Sequence, residues 1–271
     1  MRTIAFFNQK GGVGKTTTTV NLGAALAAAG RRVVLVDLDP QANLTTHVGI
    51  EPDQASLSTY RVLTDGIALA EALVEVSDCL RAAPSSTDLA VAEQELVAVP
   101  QRELILRKMA EAQPIDADYV LIDCPPSLGL LSLNAIAFCR EIFIPLQAHF
   151  LALQGMAKLF ETCSLVRQAL NPNLAISGII FCQYESAARL TGEVTGEVEQ
   201  FIAEARGKNE PWSHTTIFET HIRRNIKLAE APSFGQTIFQ YAPNSAGAAD
   251  YSVLAEEVMK MEAARTGARQ G

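Results

Sequence analysis

A glycine-rich loop near the start of the chain constrains the fold more than any other feature. Residues 10–17 read KGGVGKTT, after a short apolar run and before a stretch of small and apolar residues that ends at Gly30. Glycines let consecutive backbone N–H groups turn toward one point, and a helix that begins there adds its positive end. The strict motif has glycine where this chain has Gln9, so the loop is a shorter variant with the same mechanics. We predict a phosphate-binding loop between a strand at Thr3–Asn8 and a helix at Thr16–Ala29.

The side chains of this loop have the chemistry that a nucleotide and its metal require. The Lys15 ammonium can neutralise β- and γ-phosphate oxygens, the Thr16 hydroxyl can ligate Mg²⁺, and Thr17 can reach the α-phosphate. The expected backbone contacts to the phosphates come from Gly11, Gly12, Val13 and Gly14.

Lys10 adds a second lysine at the entrance of the loop. It precedes Lys15 by five positions, too far round the loop to serve the same phosphates comfortably from within one subunit. A cation there can reach a nucleotide across a dimer interface, as an arginine finger does in trans. The alternative is a solvated surface lysine, and the loop alone does not distinguish the two.

Several almost wholly apolar runs indicate a parallel sheet that is covered on both faces. Helical segments lie between them, at Leu128–Cys139 and Gln154–Leu170 among others, and a last helix is expected at Ala248–Ala264. Repeated alternation of strand and helix predicts an α/β, doubly wound, mostly parallel sheet with helices on both faces, the architecture of a P-loop NTPase. The predicted strands after the first are Val33–Asp37, Tyr119–Asp123, Glu141–Pro145 and Ile176–Phe181, with an edge strand near Cys79–Ala83.

Three carboxylates stand at the carboxyl ends of predicted strands, where open α/β sheets bind ligands. Asp37 and Asp39 are two positions apart and point to one face. We expect Asp39, beside the rigid Pro40, to orient the attacking water, and Asp37 to belong to the outer Mg²⁺ shell. Asp123 suits a Walker-B role in which it holds Mg²⁺ through water. Together with the loop, these residues predict a nucleotide hydrolase site.

Composition limits the classes of protein to which the chain can belong. The chain has 271 residues, is 48% hydrophobic and carries a net charge of −8, which excludes a globally basic DNA-coating protein but not a local basic patch. No apolar run approaches the roughly 18 residues that a membrane span needs. Five scattered cysteines without a C-x-x-C pair fit reduced core residues, so we expect a cytoplasmic protein. Residues 51–113 give a weaker signal, no linker is evident, and we predict one domain over 1–271 with a frayed tail from about residue 265.

These motifs resemble the ParA family of deviant Walker ATPases, and its short chromosomal type, Soj, in particular. The resemblance extends over nearly the whole chain and is strongest in four segments. They are Lys10–Thr17, Asp37–Gln41, Asp123–Leu128 and Glu230–Gln236.

The resemblance implies a cycle in which ATP and Mg²⁺ close a sandwich homodimer and Lys10 reaches the partner's phosphates. The dimer is expected to bind DNA without sequence preference, on the nucleoid, until a ParB-like partner stimulates a weak hydrolysis. The family's adenine-contacting segment matches residues 222–227, where Asn225 is retained and Arg223 replaces a proline. The DNA-contacting residues implied in the same way are Arg189, Arg224 and Lys227.

A second hypothesis is a relative that positions a protein cargo, such as a chemoreceptor cluster or a microcompartment, along the nucleoid through an adaptor protein. A division-site ATPase of the MinD type needs an amphipathic C-terminal helix with large apolar residues. The tail after Lys260 offers one methionine and small residues, so we expect no membrane anchoring. A reductase of the nitrogenase iron-protein type would need cluster-ligating cysteines, and Cys124 and Cys163 stand elsewhere in the pattern.

Overall fold

The computed structural model describes residues 1–52, 56–148, 152–185 and 189–267. A sheet of nine strands runs through this part of the chain, in the order β3-β4-β2-β5-β1-β6-β7-β8, with β9 paired to β7 beyond that path. All pairs are parallel except β3 with β4. The strands are β1 Arg2–Phe6, β2 Val33–Asp37, β3 Val74–Ser77, β4 Leu80–Ala83, β5 Tyr119–Asp123, β6 Glu141–Leu146, β7 Ala175–Tyr184, β8 Thr216–Ile217 and β9 Ile222–Arg223.

Helices cover both faces of the sheet. They are α1 Lys15–Ala28, α2 Asn43–His47, α3 Thr59–Thr64, α4 Leu89–Glu95, α5 Ile105–Ala112, α6 Leu130–Phe138, α7 Ala152–Ala169, α8 Arg189–Ala205, α9 Ile226–Glu230, α10 Ile238–Tyr241 and α11 Ala246–Gly267. Short 3₁₀ helices lie at Leu69–Ala72, Arg102–Leu104 and Ala231–Phe234. The predicted doubly wound, mostly parallel α/β fold is therefore confirmed.

Alternate residues of each central strand enter two separate cores, as the two-residue period of a strand requires. In β1, Ile4 and Phe6 pack with residues of α1 and α11, whereas Ala5 packs with residues of α3 to α8 on the other face. All five residues of β2 are buried, as are all five of β5. Burial on both faces explains why these strands read as unbroken apolar runs.

The carboxyl ends of the three central strands lie level with one another. Phe6 of β1 is in register with Asp123 of β5, and Asp123 is in register with Asp37 of β2. The chain leaves β1 at this edge, passes through the glycine-rich loop and enters α1 at Lys15. The register therefore brings the loop and two of the three predicted carboxylates to one place.

Most predicted boundaries differ from the observed ones by one to three residues. The expected edge strand is observed as β4, but it is not the edge, because β3 pairs with it on the outside. The last helix begins at Ala246 and continues to Gly267, so the tail predicted to fray from about residue 265 is helical up to that point, and residues 268–271 lie outside the described residues. None of the described helices is both long and apolar enough to cross a membrane.

Two glycines hold α2 close to the turn that follows α9. Gly49 and Gly235 both have positive φ, 79° and 61°. A Cβ added at Gly235 would lie 2.9 Å from the Cα of Gly49. Neither position can accept a side chain without moving the backbone of the other.

We predict that Gly235→Ala lowers the free energy of unfolding by about 2–5 kcal/mol, since it adds a backbone collision to the cost of a left-handed residue. Gly30→Ala is the matched control, because Gly30 has a φ of 77° but no atom within 4 Å of the added Cβ. That control is expected to lose only about 1–2 kcal/mol. Urea denaturation of both variants measures the difference, and equal losses would contradict the close approach.

Candidate active site

The glycine-rich loop is built by two left-handed glycines and anchored to a neighbouring strand. Gly12 and Gly14 have φ values of 74° and 94°, which glycine adopts without the steric cost of a side chain. The Asn8 side chain accepts the Lys10 N–H at 3.0 Å and donates to the Pro145 carbonyl of β6 at 2.9 Å. The loop therefore has a fixed position at the carboxyl edge of the sheet.

Lys15 is held inside this loop. Its side chain is buried, and Nζ donates to the Lys10 carbonyl at 3.1 Å. Burial lowers the pKa of Lys15, and the nearby carboxyls of Asp123 and Asp39 oppose that change. An ammonium at the start of a helix, among backbone dipoles, is suited to bind a polyanion.

Asp123 lies directly beside the loop and has an unsatisfied oxygen. Its Oδ2 accepts the Thr16 hydroxyl at 2.6 Å. Its Oδ1 is buried and has no hydrogen-bond partner among the described residues. Burial, followed by the neighbouring Asp37 carboxyl, raises the pKa of Asp123 well above its usual range. Mg²⁺ prefers oxygen ligands. A buried carboxylate oxygen that lacks a hydrogen-bond partner, next to a hydroxyl, is suited to hold this ion.

Asp37 differs from Asp123, since the Asp39 backbone and Thr45 of α2 engage both of its oxygens. Oδ1 accepts the Asp39 N–H at 3.1 Å, and Oδ2 accepts the Thr45 N–H and hydroxyl at 2.9 and 2.7 Å. Burial raises the pKa of Asp37 to about 6, against the effect of these hydrogen bonds. These hydrogen bonds fix the loop between β2 and α2. The place of Asp37 in the outer Mg²⁺ shell stays a prediction.

Asp39 is the third carboxylate of the edge. It is 8% exposed, and its Oδ1 accepts the Gln41 N–H at 3.0 Å. The Ala42 that follows is left-handed, with φ 51°, and donates its N–H to the Asp39 carbonyl at 2.9 Å. This tight turn keeps Asp39 at the same edge of the sheet as Lys15. The Asp39 carboxyl raises the pKa of Lys15, against the effect of burial.

A cavity of about 360 Å³ opens next to the glycine-rich loop, and residues 222–226 of the predicted base-contacting segment line it. Asn225 lines it and caps α9, because its Oδ1 accepts the Lys227 N–H at 2.9 Å. Arg223 also lines it, but its Nη2 is held by Asp250 at 2.6 Å. The remaining lining residues are Gly14, Thr17, Cys182, Gln183, Ile222, Arg224, Ile226, Leu228, Ala229 and Tyr251.

Sequence reasoning missed the residues that join this cavity to the loop. Gln183, at the end of β7, has a left-handed φ of 52° and donates from Nε2 to the Gly12 carbonyl at 2.8 Å. Thr18 places its hydroxyl 3.1 Å from the Tyr251 hydroxyl, which ties α1 to α11. No motif marks Gln183 or Tyr251. The one usable signal is that β7 ends at the same sheet edge as β1.

The predicted DNA-contacting cations are partly engaged by acidic neighbours. Arg224 pairs with Glu185 at 2.9 Å. Lys227 pairs with Glu230 at 2.9 Å and stands over the ring of Tyr241. Arg189 is the first residue of α8, and its side chain lies outside the described residues. Both Arg224 and Lys227 are about half or more exposed, so an incoming anion can compete for them.

Comparison with known proteins places this site in a family. Residues 1–176 match the family model described as an AAA domain. The chromosome partitioning protein ParA of Myxococcus xanthus is 40% identical over 270 residues, covering 99% of this chain and 92% of that one. The sporulation initiation inhibitor protein Soj of Bacillus subtilis is 41% identical over 256 residues, covering 94% of this chain and 97% of that one. This chain belongs to the ParA/Soj family.

A solved structure extends the ParA/Soj likeness to three dimensions. Cobyrinic acid a,c-diamide synthase from Mycobacterium smegmatis, solved with bound ADP and magnesium, superposes with a TM-score of 0.79 at 33% identity. The superposition covers 96% of this chain and 94% of that one. The MinD cell division ATPase of Pyrococcus furiosus is 25% identical, covers 96% of this chain and has a TM-score of 0.76. The P-loop ATPase fold of the ParA/Soj chain is thus shared along nearly its full length.

The buried charge at Asp123 leads to a stability prediction. We predict that Asp123→Asn raises the free energy of unfolding of the metal-free protein by at least about 1 kcal/mol at about pH 8. In the unfolded chain the carboxyl ionises near its ordinary 3.8, whereas the folded state retains the proton to higher pH. The contribution of Asp123 to wild-type stability therefore falls as pH rises, and the advantage of the variant shrinks toward about pH 4.

Chemical denaturation in EDTA at the two pH values measures this difference. Asp118→Asn is the control of opposite sign, because Arg32 lowers the pKa of the Asp118 carboxyl to about 2. Its removal is expected to give a small loss of stability at about pH 8. An Asp123→Asn protein less stable than the wild type at both pH values would contradict the destabilising effect assigned to this carboxylate.

Proposed function

We propose that this ParA/Soj chain is an ATP-hydrolysing switch that dimerises on ATP, binds DNA without sequence preference and drives segregation of chromosomal or plasmid DNA. The observation that carries the nucleotide chemistry is the meeting of the glycine-rich loop with the Thr16–Asp123 pair and its unpartnered buried oxygen. The 40% identity to a chromosome partitioning protein over almost the full chain supports the biological role.

Each residue of the loop has a proposed part in binding. The backbone N–H groups of residues 11–14 surround the phosphates, Lys15 neutralises the β- and γ-oxygens and Thr17 contacts the α-phosphate. Thr16 would ligate Mg²⁺ and Asp123 would hold it through water, since this ion prefers oxygen ligands. When bound, that cation neutralises charge that develops on the phosphoryl oxygens. Asp39 orients the water that attacks the γ-phosphate.

The cavity beside the loop is proposed to take the adenine. The Asn225 oxygen is used in capping α9, so its amide NH₂ is the group left to donate to a ring nitrogen. The Arg223 guanidinium donates to Asp250, so we propose that this residue lines the adenine pocket and does not bind the base through its charge. The aliphatic part of the wall includes Ile222 and Leu228.

Lys10 is proposed to act across the dimer. It is an exposed residue of the loop, and its carbonyl accepts a hydrogen bond from Lys15 Nζ at 3.1 Å. A cation there lies on the surface that a second subunit would meet. Charge supplied in trans to a phosphoryl group is an established way of coupling assembly to hydrolysis.

The remaining steps extend the family resemblance to this chain. A ParB-like protein is proposed to stimulate a weak basal hydrolysis and release the dimer from DNA, with the protein acting in the cytoplasm on the nucleoid. Arg189, Arg224 and Lys227 are the proposed DNA contacts. Dimerisation doubles these few contacts, which compensates for the net negative charge of each subunit.

We predict that Lys10→Ala leaves ATP affinity within about threefold of wild type but prevents dimerisation, because its side chain acts on the partner's nucleotide. Sedimentation with a non-hydrolysable ATP analogue and Mg²⁺ measures assembly, and calorimetry measures binding. Lys15→Ala is the comparison variant and is expected to lose nucleotide binding itself. A Lys10→Ala protein that still dimerises fully would refute the role in trans.

DNA binding is predicted to require ATP and to weaken steeply between about 50 and 200 mM salt. Arg224→Ala or Lys227→Ala should each reduce the slope of log affinity against log salt by about one for every phosphate that the side chain neutralises. Fluorescence anisotropy of a labelled duplex of arbitrary sequence measures the slopes. Arg31→Ala is the control, since this exposed arginine precedes β2 at the opposite edge of the sheet. Equal slopes for all four proteins would refute the proposed DNA surface.

A further inference from the structure

Three buried hydroxyls hold the loop that carries Asp39. They belong to Thr45 of α2, Thr59 of α3 and Ser85, two residues after β4. All three residues are fully buried. They come from three different parts of the fold, yet each contacts Asp37, Asp39 or both through a short chain of hydrogen bonds.

Thr45 is the centre of this network. Its N–H and its hydroxyl both donate to Asp37 Oδ2, at 2.9 and 2.7 Å. The same hydroxyl oxygen accepts the Ser85 N–H at 2.8 Å. Thr45 therefore uses its hydroxyl as donor and acceptor together, which joins the carboxylate at the end of β2 to the loop after β4.

Ser85 continues the network to Asp39 itself. Its hydroxyl donates to the Asp39 carbonyl at 2.8 Å. Thr59 also belongs to the network. Its hydroxyl donates to the Asp37 carbonyl at 2.8 Å, and its N–H donates to the Pro84 carbonyl at 2.8 Å. The backbone on both sides of Leu38 is thus held from two directions by side chains that have no exposed surface.

We propose that Thr45 and Ser85 are positioning residues that fix the direction of the Asp39 carboxylate, and this inference rests on the proposed role of Asp39 in orienting water. Buried hydroxyl donors cannot exchange their acceptors for water, so the network defines one loop geometry. Displacement of a reacting group by about 1 Å can cost about 100-fold in rate. Both hydroxyls donate to the Asp37–Asp39 segment rather than to the glycine-rich loop, so we expect nucleotide binding to be independent of them.

The test compares two substitutions of Thr45. Thr45→Val keeps the shape but removes the hydroxyl, and we expect kcat to fall about tenfold or more while KM for ATP stays within about threefold. Thr45→Ser keeps the hydroxyl and is expected to restore kcat to within about threefold of wild type. Steady-state hydrolysis over a series of Mg²⁺–ATP concentrations, well below each variant's Tm, gives kcat and KM separately from stability.

Ser85→Ala is the second, smaller deletion, and it decides the matter if Thr45→Val does not fold. It is expected to reduce kcat in the same direction with unchanged ATP affinity. Thr215→Val is the matched control, because the Thr215 hydroxyl is buried and donates to the Ile176 carbonyl at 2.7 Å, near the start of β7 at the opposite edge. It should lower Tm without lowering kcat.

Asp39→Ala separates this inference from the proposed function. If Asp39→Ala loses turnover while Thr45→Val and Ser85→Ala retain wild-type kcat, the positioning role is overturned and the proposed function stands. Wild-type turnover in Asp39→Ala would instead overturn the water-orienting role itself. Loss of ATP affinity in parallel with kcat in Thr45→Val and Ser85→Ala would overturn the positioning role in favour of general structural damage.

Discussion

The register of β2, β5 and β1 determines the site, because it places two carboxylates side by side at the end of a fully buried sheet. Asp37 and Asp123 are paired positions on neighbouring strands, and both are completely buried. Burial removes the hydration of both carboxylates and raises the pKa of each, and a neighbouring carboxyl raises it further, Asp37 for Asp123 and Asp39 for Asp37. The Thr16 hydroxyl and the Lys15 ammonium oppose this rise at Asp123, and the hydrogen bonds from Thr45 and the Asp39 N–H oppose it at Asp37.

The two carboxylates have different hydrogen-bond partners, and this difference suggests a different role for each. Asp37 is satisfied from its own side by the loop that follows it, through Thr45 and the Asp39 N–H. Asp123 receives one hydroxyl from Thr16 and keeps one oxygen without a partner among the described residues. Such an oxygen costs free energy in the empty protein. A hydrated Mg²⁺ held by Thr16 and Asp123, as proposed, would remove that cost, and the fold would then be more stable with its ligand.

The central strands and the phosphate loop could be predicted from sequence because their signals are local. Val33–Asp37 reads as a buried strand by itself, and the glycines of residues 11–14 specify their own turn. β8 and β9 have two residues each and exist through pairing with β7, so no local pattern marks them. The cavity wall and the Asp39 network join residues far apart in the chain, such as Thr45 with Ser85. Single-sequence reasoning has no access to such pairings, so the hydrogen bonds by which Asp37 holds its own loop appear only in the structure.

The ion pairs around the cavity show how an acidic protein can still present cations to a polyanion. Arg224 and Lys227 each have an acidic partner, Glu185 and Glu230, at the surface. Exposed pairs of this kind contribute only about 0–1 kcal/mol, so a phosphate can displace the carboxylate at little cost. The buried carboxylates, by contrast, cannot leave the sheet edge. Exchangeable ion pairs at the surface would suit the proposed reversible binding of a polyanion there, while the buried carboxyl groups keep their fixed places beside the glycine-rich loop.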